Sequence, residues 1–571
     1  MRAFSMIIRK NLALILIVVL ALFIRIYKIN EFPPALNWDE VSHGYNAYSI
    51  LITGKDEWGV KLPVIFRAYG DYKLPVYIYT LVPLIKAMGL NEFSVRLPGV
   101  IAGTGLVILT YFLTLELMRS EKENNSTIVA LLASFLVATE PWSFFLSRGA
   151  FEANLSQFMI VLGILFLLKS YSRSPNYLIL SSLFLGLSVW TYNSARIFVP
   201  LILVAVLIIF QKRFLQFFKK HKIHTVLSFF ITALFFIPMI CQLSVSVGQA
   251  RYQKVAIIDS GAIGKIIEYR NNSNFPESLN RLIYNRVTYF GFQFSKNWLS
   301  HFSPKFLFFE GGDNYQFSVP GLGLMYRVNL LFIILGLLYA INKALKKDYK
   351  YLFLIIWLML APVPSSLTRE APQVLRSITF LPIPMVLSGL GVWVFSQIAE
   401  EKSRRYLYIS YVVLIIIFTV KYLSTYFIDY YKNYSQVWQY GYKQAVSYIR
   451  DNYDRYDRII ISKKYGEPHE FLLFYLKWIP EKYQNDPKLI RFGQSDWYWT
   501  DRFDKFLFVN DWEVPFEEWQ PFVLESKGES VNCANIKCLL VTSPGNVPKT
   551  WNKLETINFT NGTKAFEIYE N

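Results

Sequence analysis

The sequence predicts a mainly α-helical, polytopic membrane protein with about eleven spans, followed by a small α/β domain at the C-terminal end. Three observations support this fold class. The chain of 571 residues is 53% hydrophobic but only 18% charged, whereas soluble domains are about 25% charged. Long apolar runs recur up to residue 424, and such runs are typical of transmembrane helices. Residues 425–571 have the mixed character of a soluble domain.

The spans follow from the apolar runs, taken in chain order. The first, residues 11–29, follows a basic N-terminus and precedes no small-residue cleavage site, so we predict an uncleaved anchor. Residues 76–90 are apolar but short and contain Pro83 and Lys86. Since a span needs about 20 residues, we place this segment along the membrane interface. The remaining predicted spans are residues 96–118, 127–147, 153–169, 177–191, 197–211, 223–243, 324–342, 350–366, 378–398 and 406–424.

The charges of the connecting segments predict which side of the membrane each one faces. One set carries 19 Lys or Arg and five acids, a net +14 of the total +18. This set is the N-terminus with residues 119–126, 169–176, 211–222, 343–350 and 399–405. The alternating short loops contain no Lys; they are residues 148–153, 192–196 and 365–377.

Because positively charged loops face the cytoplasm, this pattern predicts a cytoplasmic N-terminus. Loop 31–95, loop 244–323 and the C-terminal domain are then extracytoplasmic, in a multi-pass protein of the plasma membrane. The excess of basic residues therefore indicates the topology of the protein and contact with anionic membrane lipids. It does not indicate a nucleic-acid partner.

The C-terminal domain, residues 425–571, follows a membrane domain of residues 1–424. Helical periodicity at residues 436–451 and strand-like runs predict its α/β character; the runs are residues 457–462, 505–509 and 536–542. Asn561-Gly562 predicts a hairpin near the end. Cys533 and Cys538 form a disulfide in an oxidising space or remain two free thiols. Three cysteines in all are too few for a disulfide scaffold or a Cys-based zinc site.

The polar loop 31–95 is the first place where chemistry is expected. An acid-bearing loop at a membrane face stands out in a mostly apolar chain, and we interpret it as catalytic, centred on the pair Asp39-Glu40. The alternative is that Asp39 only caps a solvated helix start. His43 is more typical of packing or hydrogen bonding than of a metal ligand. The further candidates in this loop are Trp38, Asp71 and Lys73.

Arginines recur in the other predicted outer loops. Arg148 and Glu152 lie four residues apart, so they share one helix face, while Arg196, Arg369 and Arg376 occupy later loops. Because the arginine fork binds phosphate bidentately, these residues predict a phosphorylated lipid with its head group outside. An acid beside it would take a proton from an acceptor hydroxyl. Arg148 and Glu152 forming only a structural pair, and Arg376 only snorkelling, are the alternatives.

The chain also resembles the GT-C superfamily of membrane glycosyltransferases. The resemblance lies in the acid pair after the first span and in DYKLPVYIY, FSVRLPGVIAG, SRGAFEANL and VLRSITFLPIP. It covers about residues 10–400 and is closest to glycosyltransferase family 39, the branch of protein O-mannosyltransferases and aminoarabinose transferases. It implies a hexosyl- or pentosyltransferase of the cell envelope that uses a polyprenyl- or dolichyl-phosphate sugar.

Site roles follow from the resemblance and the loop residues together. We expect an inverting transfer in which Asp39 is the general base and Glu40 supports it. Donor phosphate is assigned to Lys73, Arg148, Arg196 and Arg376. Acceptor binding or orientation is assigned to Trp38, His43, Asp71 and Glu152. Some relatives hold a metal; here no histidine clearly accompanies Asp71, so a divalent metal is left open and no cofactor is predicted.

Two other function classes compete with the enzyme. A transporter or flippase of a lipid-linked anion would also use outer arginines, but it would carry ionisable residues at mid-span and repeat-like broken helices. A scaffold that presents the C-terminal domain would not need the acids of loop 31–95. The charges gather at one predicted face, which favours the enzyme. The acceptor, whether lipid, glycan or protein, is not identified, because the tail does not resemble the β-trefoil insert of eukaryotic protein mannosyltransferases.

Overall fold

The computed structural model describes residues 2–70, 72–245, 254–494, 497–526 and 529–571, with side chains from residue 11 onward. The predicted site residue Asp71 lies outside the described residues. The chain forms two compact units. We call Met1–Tyr27, Gly99–Ser147 and Phe151–Leu423 the helical unit. We call Lys28–Pro98, Arg148–Ala150 and Ser424–Asn571 the mixed unit.

The helical unit is built from apolar helices, and each of the eleven predicted spans coincides with helical structure. The helices are Arg2–Ile26, Glu92–Leu117 (which begins in the mixed unit), Glu123–Thr139, Pro141–Leu146, Glu152–Ser170, Asn176–Val189, Asn193–Ile209, Gln211–Lys220, Lys222–Leu243, Ser260–Asn271, Glu277–Ile283, Arg286–Ser300, Asn329–Leu345, Tyr349–Leu360, Val363–Ser366, Ile383–Ser396 and Glu401–Ser424. Most of these helices are apolar around much of the circumference, as in helices that face lipid or a helical core. Four of them carry several charged or polar residues: Gln211–Lys220, Ser260–Asn271, Glu277–Ile283 and Arg286–Ser300.

The mainly α fold with a C-terminal sheet is confirmed, whereas the count of eleven spans is not. In the described residues, six helices are long and apolar enough to cross a bilayer. A seventh arises if helices Asn193–Ile209 and Gln211–Lys220, which meet at 86°, are counted as one span. Breaks explain part of the difference: predicted span 127–147 is divided before Pro141, because proline cannot continue a helix from the preceding turn.

Loops that were predicted to share a side lie together within the helical unit. Ser120 Oγ donates a hydrogen bond of 2.7 Å to Asp348, which joins two of the lysine-rich loops. Ser194 Oγ donates one of 2.9 Å to the Arg376 carbonyl, which joins two of the lysine-free loops. These two contacts agree with the predicted grouping of the loops. Which group faces the cytoplasm stays a prediction.

The mixed unit contains a seven-stranded sheet. This sheet and two separate two-stranded sheets, β1-β2 and β7-β8, contain all the described strands. The strands are β1 (Phe66–Arg67), β2 (Tyr72–Lys73), β3 (Arg458–Ser462), β4 (Ile490–Gln494), β5 (Trp497–Phe503), β6 (Phe506–Val509), β7 (Phe522–Val523), β8 (Ser530–Val531), β9 (Cys538–Thr542), β10 (Asn552–Asn558) and β11 (Lys564–Glu570). The large sheet has the order β10-β11-β9-β3-β6-β5-β4. Strands β9, β3 and β6 are parallel. Their apolar sequences suit a parallel centre that is covered on both faces.

The strands predicted for the C-terminal domain are β3, β6 and β9, and the predicted hairpin joins β10 to β11. Gly562 in its turn has φ +86°, a conformation that glycine adopts without steric cost. Cys533 and Cys538 form a disulfide with a Cα–Cα distance of 6.0 Å. Of the two alternatives for these cysteines, the structure has the bonded one.

Loop 31–95 packs with the C-terminal segment. The mixed unit joins the two, so its packing does not follow the predicted boundary at residue 424. The helices of this unit include Trp38–Thr53, Pro75–Met88, Tyr442–Asn452, Pro468–Tyr475 and Pro480–Gln484. Helix Trp38–Thr53 crosses Pro468–Tyr475 closely at Gly44, where a Cβ atom would lie 2.5 Å from the Phe474 ring.

Candidate active site

The acid pair begins a helix whose N-terminus is tightly held. The Asn37 side chain accepts a hydrogen bond of 3.0 Å from the Glu40 amide, and Glu40 Oε2 accepts one of 3.1 Å from the Asn37 amide. This reciprocal arrangement is a capping box, which satisfies two backbone donors at once. Asp39 lies between the two partners, so the box also fixes the place of its side chain.

Glu40 is fully buried and paired with Arg96. Arg96 Nε lies 3.0 Å from Glu40 Oε1, and Arg96 Nη2 lies 3.1 Å from Oε2. Glu40 Oε1 also accepts a hydrogen bond of 2.9 Å from the Ala150 amide. Both carboxylate oxygens therefore have donors at close range. With no exposed surface, Glu40 is suited to hold the site together, and an acceptor hydroxyl cannot reach it.

Arg96 continues this network toward the start of the loop. It donates hydrogen bonds to three backbone carbonyls, those of Ile29, Pro33 and Ala35, at 2.5 to 3.1 Å. One buried guanidinium thus joins the chain before the acid pair to the helix that begins there. Such a fully hydrogen-bonded ion pair specifies one local arrangement more than it adds net stability.

Asp39 is the accessible member of the acid pair. Its side chain is 39% exposed, and its Oδ1 lies 2.7 Å from Lys73 Nζ. Tyr69 donates a hydrogen bond of 2.7 Å to the same oxygen. Lys73 stands on β2, whose pairing with β1 fixes its position. A carboxylate held by an ammonium and a phenol, with part of its surface open, has the geometry of a positioned general base.

Aromatic rings from two distant parts of the chain surround Asp39. The Trp38 and Tyr69 rings lie 5.7 Å apart, and Trp497 of β5 lies 6.0 Å from the first and 5.5 Å from the second. Gly70 permits this approach, since a Cβ there would be 2.3 Å from the Trp497 ring. The C-terminal segment therefore contributes directly to the surroundings of the acid.

Two predicted site residues of the mixed unit are buried. Arg148 has no exposed surface; its Nη2 donates 2.8 Å to the Phe32 carbonyl, and its guanidinium lies 5.1 Å from the Phe427 ring centre. His43 is also fully buried, with its ring 5.5 Å from that of Tyr77. These surroundings suit structural roles. The assignments of Arg148 to phosphate and of His43 to the acceptor stay predictions.

The remaining predicted residues belong to the helical unit. Arg376 donates 2.8 Å to Glu370 and 3.1 Å to Thr368 Oγ1, and the Glu370 carboxylate that it holds is 55% exposed. Arg196 donates 2.5 Å to Gln242 and is almost buried. Glu152 begins helix Glu152–Ser170. Because the Glu370 partner of Arg376 is exposed, an anion from solvent can replace it at the guanidinium.

A cluster of buried acids lies elsewhere in the mixed unit. Burial raises the pKa of Glu57 to about 7 and that of Glu467 to about 8. Burial and the facing Glu57 also raise the pKa of Glu470. Burial lowers the pKa of His469 to about 3, so its ring is neutral. Arg491, which donates 2.9 Å to the Glu57 carbonyl, moderates the rise at Glu57. Below about pH 7, these acids and His469 join loop 31–95 to the C-terminal segment in their uncharged forms.

We expect the contribution of Glu57, Glu467 and Glu470 to the stability of the protein to fall as pH rises from about 5 to about 8. The three carboxyls outweigh the opposite contribution of the single neutral His469. A carboxyl whose pKa is raised on folding contributes stability that is complete below its unfolded pKa, 4.5 here, and is lost as pH rises through its folded pKa. Glu57→Gln should flatten this slope. Glu481→Gln, at an exposed carboxyl of the same unit, should not change it. Thermal unfolding of the purified chain across this range measures both, and equal slopes in wild type and Glu57→Gln would contradict the expectation.

A protein metal site needs several His, Cys, Asp or Glu side chains that converge on one point. Within the part of the chain that the structure describes, no three His, Cys, Asp or Glu side chains converge as a metal site requires. A site built on the predicted acid Asp71 lies outside that part.

Sequence reasoning missed three residues of this site: Arg96, Tyr69 and Trp497. Arg96 stands in the quoted motif FSVRLPGVIAG, and an arginine at the start of an apolar run indicates a specific buried partner. Tyr69 lies in the loop that was already selected. No local pattern points to Trp497, because tertiary packing alone brings β5 to Asp39.

Comparisons with known proteins agree with this fold. Residues 15–247 match the family model described as dolichyl-phosphate-mannose-protein mannosyltransferase. The search of curated proteins gives no significant match. This match over residues 15–247 agrees with the resemblance of the chain to GT-C glycosyltransferases.

Two structures illustrate the shared fold. The oligosaccharyltransferase AglB from Archaeoglobus fulgidus, solved with an inhibitory peptide and a dolichol-phosphate, is 15% identical with a TM-score of 0.50. The match covers 82% of this chain and 63% of that one, so this chain spans less than two thirds of the archaeal protein. ArnT from Cupriavidus metallidurans in the apo state is 11% identical with a TM-score of 0.50, over 100% of this chain and 98% of that one.

Proposed function

We propose that this chain is an integral-membrane glycosyltransferase that moves a sugar from a polyprenyl-phosphate donor to an acceptor hydroxyl, with inversion at the anomeric carbon. The observation that supports the proposal most directly is that the two acids of the pair have different surroundings. Glu40 is buried against Arg96, while Asp39 is partly exposed between Lys73 and Tyr69. The family match over residues 15–247 and the dolichol-phosphate held by the archaeal relative support the donor class.

The proposed step is a single displacement. The Asp39 carboxylate takes the proton of the acceptor hydroxyl as the new glycosidic bond forms. The bond between the anomeric carbon and the phosphate oxygen breaks, and the lipid phosphate leaves with the bonding electrons. Lys73 meets the growing negative charge, as preorganised cations do in other transferases. Because phosphate is a good leaving group, the step needs one base and no strong acid.

Arg376 is our candidate for donor phosphate in the helical unit. We expect Arg376→Ala to weaken donor binding about tenfold or more, since a charge-assisted hydrogen bond contributes roughly 1.5–3 kcal/mol. Arg376→Lys should restore only part of it, because lysine lacks the planar fork. The control is Arg281→Ala, which removes an arginine whose Glu277 partner lies 2.5 Å away on an exposed helix. Titration with the lipid phosphate measures affinity, and unchanged affinity in both Arg376 variants would place the phosphate elsewhere.

Trp497 is our candidate for the acceptor platform. Its ring packs with Trp38 and Tyr69 beside Asp39, and aromatic faces provide rigid apolar surfaces on which a ring can stack. We expect Trp497→Ala to raise the acceptor KM about tenfold and to leave donor affinity unchanged, with Trp497→Phe intermediate. Trp519→Ala, at a mostly exposed ring of the same segment, should behave as wild type. A kinetic titration of the acceptor tests this, and an unchanged KM in Trp497→Ala would exclude the platform.

The proposed activity is tested with a panel of lipid-phosphate sugars. The purified full chain is incubated in detergent with each donor, and loss of sugar from the lipid is followed. We expect one donor class to be consumed with release of polyprenyl phosphate. Detergent removes the two membrane compartments, so a transporter would leave every donor intact. We favour the glycosyltransferase over the transporter, because the matched family and both similar structures are glycosyltransferases.

A further inference from the structure

The helical unit contains a large polar cavity on the side opposite to the lysine-free loops. Its volume is about 890 Å³, and it is lined by parts of four lysine-rich segments, those around residues 119, 173, 213 and 348. The charge pattern predicts this side to be cytoplasmic. The cavity is therefore separate from the candidate residues of the lysine-free loops, and the proposed glycosyl transfer makes no use of it.

Positive charge dominates the lining of this cavity. Five Lys or Arg side chains line it against two acids, and His221 adds a ring. Glu116 lies 3.6 Å from Arg119 and 3.7 Å from Lys350, so one carboxylate serves two cations. For the other three cations, the structure shows no carboxylate within ion-pair distance among the residues it describes; they are Arg173, Arg213 and Lys220. Three such cations around one cavity are suited to a phosphate group.

A short basic helix forms one wall. Helix Gln211–Lys220 bends by 86° from the preceding apolar helix, as expected for a segment that lies along the membrane surface. Phe217 points inward and is buried, with its ring 5.6 Å from that of Tyr171. The charged residues of the helix are exposed. A cavity walled by such a helix is expected to open at the level of lipid head groups.

An apolar slot adjoins the polar cavity. Its volume is about 110 Å³, and its walls are almost entirely apolar, with Leu178, Val206 and Phe229 among them. Tyr171 lines both spaces, and Phe214 of the basic helix also lines the slot. A free phosphate ion would not occupy an apolar slot. A phosphate that carries an acyl chain would fill both spaces.

We propose that this cavity binds the head-group phosphate of an anionic membrane phospholipid, with part of one acyl chain in the slot beside Tyr171. Arg173, Arg213 and Lys220 would contact the phosphate. The site is a lipid site at the end of the helical unit opposite to Arg376, and it does not depend on the proposed function. Its occupant would hold the basic helix against the bundle.

The first test compares lipids on the full chain by native mass spectrometry in detergent. We expect phosphatidylglycerol to be retained at least tenfold more than phosphatidylcholine, because only the first carries net charge. The double variant Arg173→Gln/Arg213→Gln should lose this preference by about tenfold. The matched control Lys212→Gln/Lys219→Gln removes the same charge from exposed positions that do not line the cavity, and should stay within twofold of wild type. Equal losses in both double variants would overturn the proposal in favour of diffuse surface charge.

The second test separates a lipid from a free phosphate. Ser182→Leu places a larger side chain in the wall of the slot, and its melting temperature is checked first. We expect it to weaken retention of phosphatidylglycerol, and millimolar inorganic phosphate should not displace the lipid from wild type. If inorganic phosphate displaces the lipid completely and Ser182→Leu binds lipid as wild type does, the occupant is a soluble phosphate and the lipid proposal fails.

Discussion

Asp39→Asn is expected to lower the rate of sugar loss from the donor by about 10²–10⁴-fold, or roughly 3–5 kcal/mol of barrier. The variant keeps the size of the side chain and its hydrogen bond from Tyr69, but it cannot take a proton at neutral pH. Donor affinity should stay within a few-fold of wild type, because the donor phosphate is assigned to cations. Single-turnover kinetics with the donor found in the panel, together with a donor-binding titration, separate the two quantities.

Asp454→Asn is the matched control, since Asp454 is an exposed carboxylate of the same unit that is not part of the site. It should transfer sugar at the wild-type rate. The rival assignment makes Glu40 the base and Asp39 only a residue of the first helical turn. Under that assignment Asp39→Asn would remain nearly as active as wild type, and this result would remove Asp39 from the proposed mechanism.

Glu40→Gln should act on stability. The substitution leaves the Arg96 guanidinium buried without its counter-ion, and breaking a buried pair in this way costs about 3–5 kcal/mol. We therefore expect a markedly lower unfolding temperature, with remaining activity that follows the folded fraction. Asp39→Asn should show the opposite pattern, low activity at nearly wild-type stability. Thermal unfolding and transfer rate, measured on the same preparations, distinguish the two acids.

Glu92→Gln provides the comparison for Glu40→Gln. Glu92, whose side chain is 13% exposed, lies 2.5 Å from Lys443, whose side chain is 56% exposed. Solvent reaches one partner of this pair, so it should contribute about 1 kcal/mol, less than the fully buried pair of Glu40. This variant should unfold close to wild type. If Glu40→Gln unfolded at the same temperature as Glu92→Gln, the network of Glu40 and Arg96 would not be what holds the start of the helix.

Much of the fold can be predicted from the sequence, because apolar runs and their flanking charges are local features. The helices of the bundle, the strands β3, β6 and β9, and the final hairpin all follow from such patterns. Helix breaks are harder to place from hydropathy alone. The predicted span 127–147 is divided before Pro141, and averaging over an apolar window hides that division. The bend after Ile209 is hidden in the same way.

Only part of the candidate site can be predicted from local sequence features. Asp39, Glu40 and Lys73 lie in one polar loop, so the loop itself pointed to them. The different roles of the two acids depend on Arg96 and Ala150, whose positions near Glu40 result from packing. Trp497 reaches Asp39 only through the sheet of the mixed unit. The grouping of loop 31–95 with the C-terminal segment has the same origin, since helix packing at Gly44 has no counterpart in composition.

The anomeric configuration of the product is the most direct test of a single displacement from lipid phosphate. A donor of known configuration is turned over by the wild-type chain, and the configuration of the transferred sugar is read by nuclear magnetic resonance before it can equilibrate. We predict inversion, because the acceptor oxygen attacks the anomeric carbon from the face opposite to the departing lipid phosphate. Retention of configuration would require either two displacements through a covalent intermediate or attack from the face that the phosphate leaves, and both would contradict a single displacement with Asp39 as its base.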